Sequence, residues 1–315
     1  VANTNDAASL ASLVQCSNGS FAVEWVGDVV VSQTIHITQG TLLNIIGAST
    51  DATADGNHTT QLFAVDGASS LHFTDMILAN GGGAEFGGAI LAREQSSISF
   101  GGNMTFASNT ALNGGAIFAD QSTTVFWDGE ETIFRNNYAS LHGGAIFAAG
   151  VSHISWDGLT VFANNSADGA GGAVCVFTSS QIYWSSNTTF VENNAIFGGA
   201  ICAMGSTAVW HGDETTFSNN YASYSGGALA VQLSGSVYWH GQTVFSNNSA
   251  DTGGGAIYAH SSSVIWAGEL IMFSNNFAFQ FGGALLAENS SAISWGGETV
   301  FVNNEGGITG GAIYA

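Results

Sequence analysis

The chain has 315 residues, 45% of them apolar and 8% charged, which excludes a disordered acidic tail and is enough to bury a long core. Arg93 and Arg135 are its only basic residues against 23 acidic ones, for a formal charge of -21. Phosphate contacts need Lys and Arg, so nucleic acid and anionic membranes are poor partners, while divalent cations and basic partners stay open. No apolar run is long enough for a membrane-spanning helix, and no leader segment is visible.

In chain order, Ala7–Gln15 predicts a short amphipathic helix closing one end of the molecule. The stretches "TIHITQGTLLNIIG" and "SLHFTDMILANG" then alternate apolar and polar residues as strands do. Residues 1–86 read as a cap and irregular first coils. From residue 87 to 315 the chain repeats itself. Gly-Gly pairs begin at Gly87, Gly114, Gly143, Gly171, Gly198, Gly226, Gly254, Gly282 and Gly310, in steps of 27 to 29 residues around a period of 28. Phe106, Phe134, Phe162, Phe190, Phe217, Phe245, Phe273 and Phe301 keep the same beat. Each has an asparagine three places on: Asn109, Asn137, Asn165, Asn193, Asn220, Asn248, Asn276 and Asn304. Between the two phrases an aliphatic-x-aromatic step ends at Phe100, Trp127, Trp156, Trp184, Trp210, Trp239, Trp266 and Trp295.

Each unit holds three β-type stretches, for example Ala145–Ala148, His153–Trp156 and Thr160–Phe162, separated by Gly, Asn, Ser and Asp turns. Helix-period patterns of any length are absent from the repeat. Identical residues recurring once per unit predict an all-β, right-handed parallel β-helix of about ten coils, three strands per coil, stacked about 4.8 Å apart. The period of two puts the aromatic and the aliphatic two places earlier on the inner face. The glycine pairs supply positive φ and close backbone approach at a corner, and the Asn after Phe turns inward to bond the coils above and below. After each pair the aliphatic and the Ala two places on point inward. The residue between them (Leu91, Phe118, Phe147, Cys175, Cys202, Ala230, Tyr258, Leu286 or Tyr314) then faces out, as an apolar contact stripe or because this strand is inverted.

A repeat joining "GGAI" to "FxxN" over Gly87–Ala315 resembles that of the polymorphic outer membrane proteins of Chlamydia and related surface proteins. The resemblance implies a right-handed β-helix exposed outside the cell and working in adhesion rather than catalysis. Unlike those proteins, the 315 residues show no C-terminal barrel-forming segment.

Candidate site residues follow from the columns. N-glycosylation triplets start at Asn18, Asn57, Asn103, Asn164, Asn187, Asn247 and Asn289, and the last five lie at corners or turns that reach solvent. Cys175 and Cys202 share a column in adjacent coils, at a spacing that suits a disulfide, while Cys16 is left over. Carboxylates recur at one turn (Glu130, Glu131, Asp213, Glu214, Glu269, Glu298), but Leu159 and Gln242 interrupt them, which favours a solvated edge over calcium. His211 and His240 stack without a third fixed ligand. The column Thr132, Thr160, Thr188, Thr215, Thr243 shares the side of the inward Phe and is read as internal rather than as an ice-binding face. Isolated arginines and acids strung along a corner argue against a polysaccharide lyase or hydrolase. The expectation is a secreted, glycosylated structural protein that self-associates into a fibre or surface array, with N-linked glycans and no cofactor. The alternative is a monomeric adhesin arm binding a glycan or protein.

Overall fold

The computed structural model describes residues 2–4, 7, 8, 10, 12 and 19–315. The chain winds into a parallel β-helix of about ten coils. The period sets the register: Ile117 pairs with Ile146, Trp127 with Trp156 and Phe134 with Phe162, like over like. Among the described residues the strands form three parallel sheets of 21, 11 and 9 strands. One coil shows the plan. Ile146–Ala148 lies in the 11-stranded sheet, His153–Trp156 and Leu159–Ala163 both lie in the 21-stranded sheet, and Ser166–Ala167 lies in the 9-stranded sheet.

Each regular coil therefore has four strands rather than the expected three. The strand after the asparagine escaped the sequence pattern because its one buried apolar residue is an alanine (Ala139, Ala167, Ala195, Ala222). In the earlier coils Ser70–Ala79 and Ser97–Ala107 each cross the large sheet as one long strand, where later coils place a glycine turn and two shorter strands.

Burial confirms the inner columns. Trp127 to Trp266, Phe106 to Phe273 and Thr132 to Thr243 are all buried. Successive indoles stack with centroids 4.3–5.3 Å apart, and successive phenyl rings lie 4.6–4.9 Å apart and within 7° of parallel. The two files meet edge to face, the other arrangement that ring quadrupoles favour. Each such contact contributes about 0.5–1.5 kcal/mol beyond area burial.

The glycine pair divides its work. Gly198 has φ +61°, whereas Gly199 takes an ordinary φ but would drive a Cβ into the carbonyl of Gly227 in the next coil. A second glycine file, Gly129, Gly158, Gly212, Gly241, Gly268 and Gly297, sits where the large sheet turns between its two strands. It meets the same constraint, each Cβ colliding with a backbone carbonyl of the preceding coil.

The stripe between inward residues of the 11-stranded sheet is neither inverted nor a free contact surface. Ile146 and Ala148 point inward, and Phe147 points outward, yet Phe147 is only 8% exposed. Side chains from the segment leading to each glycine pair, among them Phe86, Phe197 and Phe281, fold over this face and make a second apolar cluster outside the main core. Both faces of this sheet are thus dry, which is why its strands lack alternation.

Of the helix expected over Ala7–Gln15, Ala7, Ala8, Leu10 and Ser12 are helical, and Ala7 and Leu10 are buried against the core; the rest lies outside the described residues.

Candidate functional surface

The asparagines after each Phe form one continuous buried file. Asn165 Nδ2 donates to the carbonyl of Phe134 at 3.0 Å and to Oδ1 of Asn193 at 3.0 Å, and its backbone N–H donates to the same Oδ1 at 3.0 Å. The pattern repeats from Asn109, whose Oδ1 accepts the N–H of Gly81, to Asn276, whose amide and backbone N–H both donate to Asn304. No other side chain offers one acceptor for two donors and a donor for the corner carbonyl in so short a reach. The preceding residue (Ser108, Asn136, Asn164, Glu192, Asn219, Asn247, Asn275, Asn303) takes φ of 52–57° and is turned from the core, which suits Asn in the left-handed region. These residues hold the coil together and face no cleft.

The glycosylation triplets fall on the surface. Asn57, Asn164, Asn187, Asn247 and Asn289 are exposed and Asn103 is half-buried; Asn18, like Cys16, lies outside the described residues. Asn187 accepts a hydrogen bond from the Glu214 N–H, and the amide of Asn289 contacts the His260 ring.

Cys175 and Cys202 are register partners on neighbouring strands. Both are fully buried free thiols within the second apolar cluster. The Cys175 thiol, hydrogen-bonded to Cys202 and buried, titrates well above its ordinary value.

His211 and His240 stack with ring centroids 4.3 Å apart. Beside them, Asp213, His240, Gln242 and Glu269 line an open depression of about 380 Å³. Among the described residues no group of three or more His, Cys, Asp or Glu is placed to hold a metal ion. One titratable group is tied to packing rather than to this edge. His142 stacks on Phe147 and Phe177, accepts the Ala170 N–H at Nδ1, and is held below its ordinary pKa by burial.

Sequence columns missed one arrangement on the 9-stranded sheet. The Tyr138 hydroxyl donates to Asp168 at 2.6 Å and the Tyr221 hydroxyl to Asp251 at 2.7 Å, and each contact raises the phenol's pKa. Both pairs are 30 residues apart, one period plus two. Each phenol therefore lies diagonally across the sheet onto the next coil. Columns of equal residues hide such diagonals, although the separation itself was there to be counted.

Fold and surface together define a repeat solenoid whose recurring residues build the coil and whose chemistry lies on its outer faces. Four segments of the chain are similar to a known repeat: the model described as Chlamydia polymorphic membrane protein (Chlamydia_PMP) repeat matches residues 131–149, 159–176, 214–232 and 242–260, about a quarter of the chain. Each match runs from the Phe strand through the buried Asn to the strand after the glycine pair, which joins all three sheets. No curated protein and no solved structure matches the chain.

Proposed function

We propose that the protein is a surface-exposed, extracellular β-helical rod with a structural or adhesive role, not a catalyst. The observation that carries this is the match of four coils to a membrane-protein repeat in a solenoid whose invariant residues are buried in ladders and do not converge on a cleft. About ten coils at about 4.8 Å make a rod roughly 45–50 Å long. The exposure of Asn164, Asn187, Asn247 and Asn289 supports sugar attachment at these positions in a host that glycosylates secreted chains. Self-association into a fibre or surface array belongs to the same reading.

Protease shaving and antibody labelling of intact source cells, with intact mass and electron microscopy of the released protein, test the proposal. Accessible protein with added sugar mass, seen as rods or filaments, is the expected outcome. Protein protected inside intact cells, or new reducing ends released from polysaccharide, would overturn it. The adhesive version is favoured by one feature, the exposed apolar side chains on the 9-stranded sheet.

A further inference from the structure

The 9-stranded sheet turns one alanine inward in most coils, sends Phe86 and Phe197 over the neighbouring sheet, buries Ser225 and presents most of its other residues to solvent. Large apolar side chains gather there: Leu112, Tyr138, Ile196, Tyr224, Phe277 and Phe279, the last 65% exposed. Unlike the stripe on the 11-stranded sheet, no segment of the described chain folds over them. Glu85, Asp168, Asp251 and Glu305 are interleaved with them, all exposed. Of the two arginines, Arg93 is paired with Asp66 and Arg135 ends a strand of the large sheet. The two Tyr–Asp hydrogen bonds hold phenol rings across the sheet surface and engage one oxygen of each carboxylate. At one end, Glu85, Thr110, Leu112, Tyr138 and Ser140 line a shallow groove of about 490 Å³.

We infer that this face docks an extended segment of a partner protein in which Arg or Lys alternates with apolar residues. Charge selects the occupant. A second copy would oppose acid to acid in chains of net charge -21, and nucleic acid or an anionic membrane would be repelled likewise. A cationic side chain suits the groove in each part: its methylenes lie on Leu112, its charge sits over the Tyr138 ring, and its head reaches Glu85. The apolar residues of the segment then cover Ile196, Tyr224 and the Phe277–Phe279 pair. The inference rests on the reading of the chain as a surface rod, for which such a face is displayed to other molecules.

The test uses the full purified chain and a labelled synthetic peptide alternating arginine and leucine, with arginine–serine and glutamate–leucine peptides as comparisons. Two surface variants are made, Glu85→Gln/Asp168→Asn and Tyr224→Ser/Phe279→Ser. A third, Glu130→Gln/Glu131→Gln, makes the same charge change on a turn of the large sheet. All change exposed side chains, and unchanged thermal melting shows that each folds. The arginine–leucine peptide binds the parent best, and each face variant weakens it by roughly tenfold while the turn variant changes it less than about twofold. Equal weakening by face and turn variants, equal binding of the arginine–serine peptide, or no binding of the arginine–leucine peptide would each overturn the inference. The measurement is made on isolated protein, so it fails independently of the shaving experiment that tests the surface reading.

Discussion

Replacing Asn193 by alanine removes one rung from the middle of the buried file. Its Oδ1 accepts both the backbone N–H and the amide of Asn165, and its Nδ2 donates to the Phe162 carbonyl and to Oδ1 of Asn220. The substitution leaves two donors and a carbonyl without these partners in a site with no access to water. Each orphaned group costs about 1 to 3 kcal/mol, so the three together cost roughly 3 to 6 kcal/mol once neighbouring coils relax. The neighbouring Asn219 is exposed, at φ 55°, and Asn219→Ala loses only the preference for a left-handed backbone, about 1 kcal/mol. Urea unfolding of the parent and both variants, followed by tryptophan fluorescence, measures the difference. In a solenoid each coil touches only its neighbours, so the larger loss also splits the transition into two steps around residue 193. Asn193→Asp adds a pH signature: its carboxylate faces two acceptors, and its deficit shrinks as acid restores an O–H donor. A cost for Asn193→Ala no greater than that for Asn219→Ala would refute the ladder argument.

Gly199→Ala sets a Cβ against backbone carbonyls of Gly227 and Tyr221, whereas at Gly205 the nearest atom is 3.4 Å away and only φ is strained. The first is expected to cost about 3 kcal/mol or more and the second about 1 to 2, read from denaturant midpoints; equal costs would remove close approach as the reason for the second glycine. Because burial lowers the His142 pKa, the folded state disfavours its charged form. Stability is kept above the unfolded value of about 6.5 and lost as pH falls below it. His142→Phe should flatten that acid limb in a pH series of thermal melts, and an unchanged limb would assign the loss to other groups. We propose that Cys175 and Cys202 are bridged when the chain is outside the cell. Mass spectrometry of oxidised protein should show the loss of two hydrogens, and closing a loop of this length contributes about 3 to 4 kcal/mol. Two thiols alkylated after unfolding the oxidised protein would refute it.

The 28-residue beat was legible because parallel in-register stacking turns sequence period into spatial column, so the period alone places Trp127, Phe134 and Asn137. The inward Thr132 column followed from alternation alone. Less visible was the strand after the asparagine, whose single buried alanine leaves no two-residue pattern to count. The glycine file at Gly129 and Gly158 was equally hidden, since glycine in a turn reads as flexibility until the carbonyl of the coil below is in place.

By itself, then, the sequence determined the coil: its length, its inner ladders and its corners, all of which depend on residues one period apart. Tertiary structure alone decided what the outer faces became. Phe147 and Cys175 face outward yet are buried, because a different part of each coil folds over them. Leu112 and Phe279 face outward and stay exposed, because nothing in the described chain does. Covering depends on the path of the backbone around a corner, and on diagonals such as Tyr138 to Asp168, rather than on what repeats.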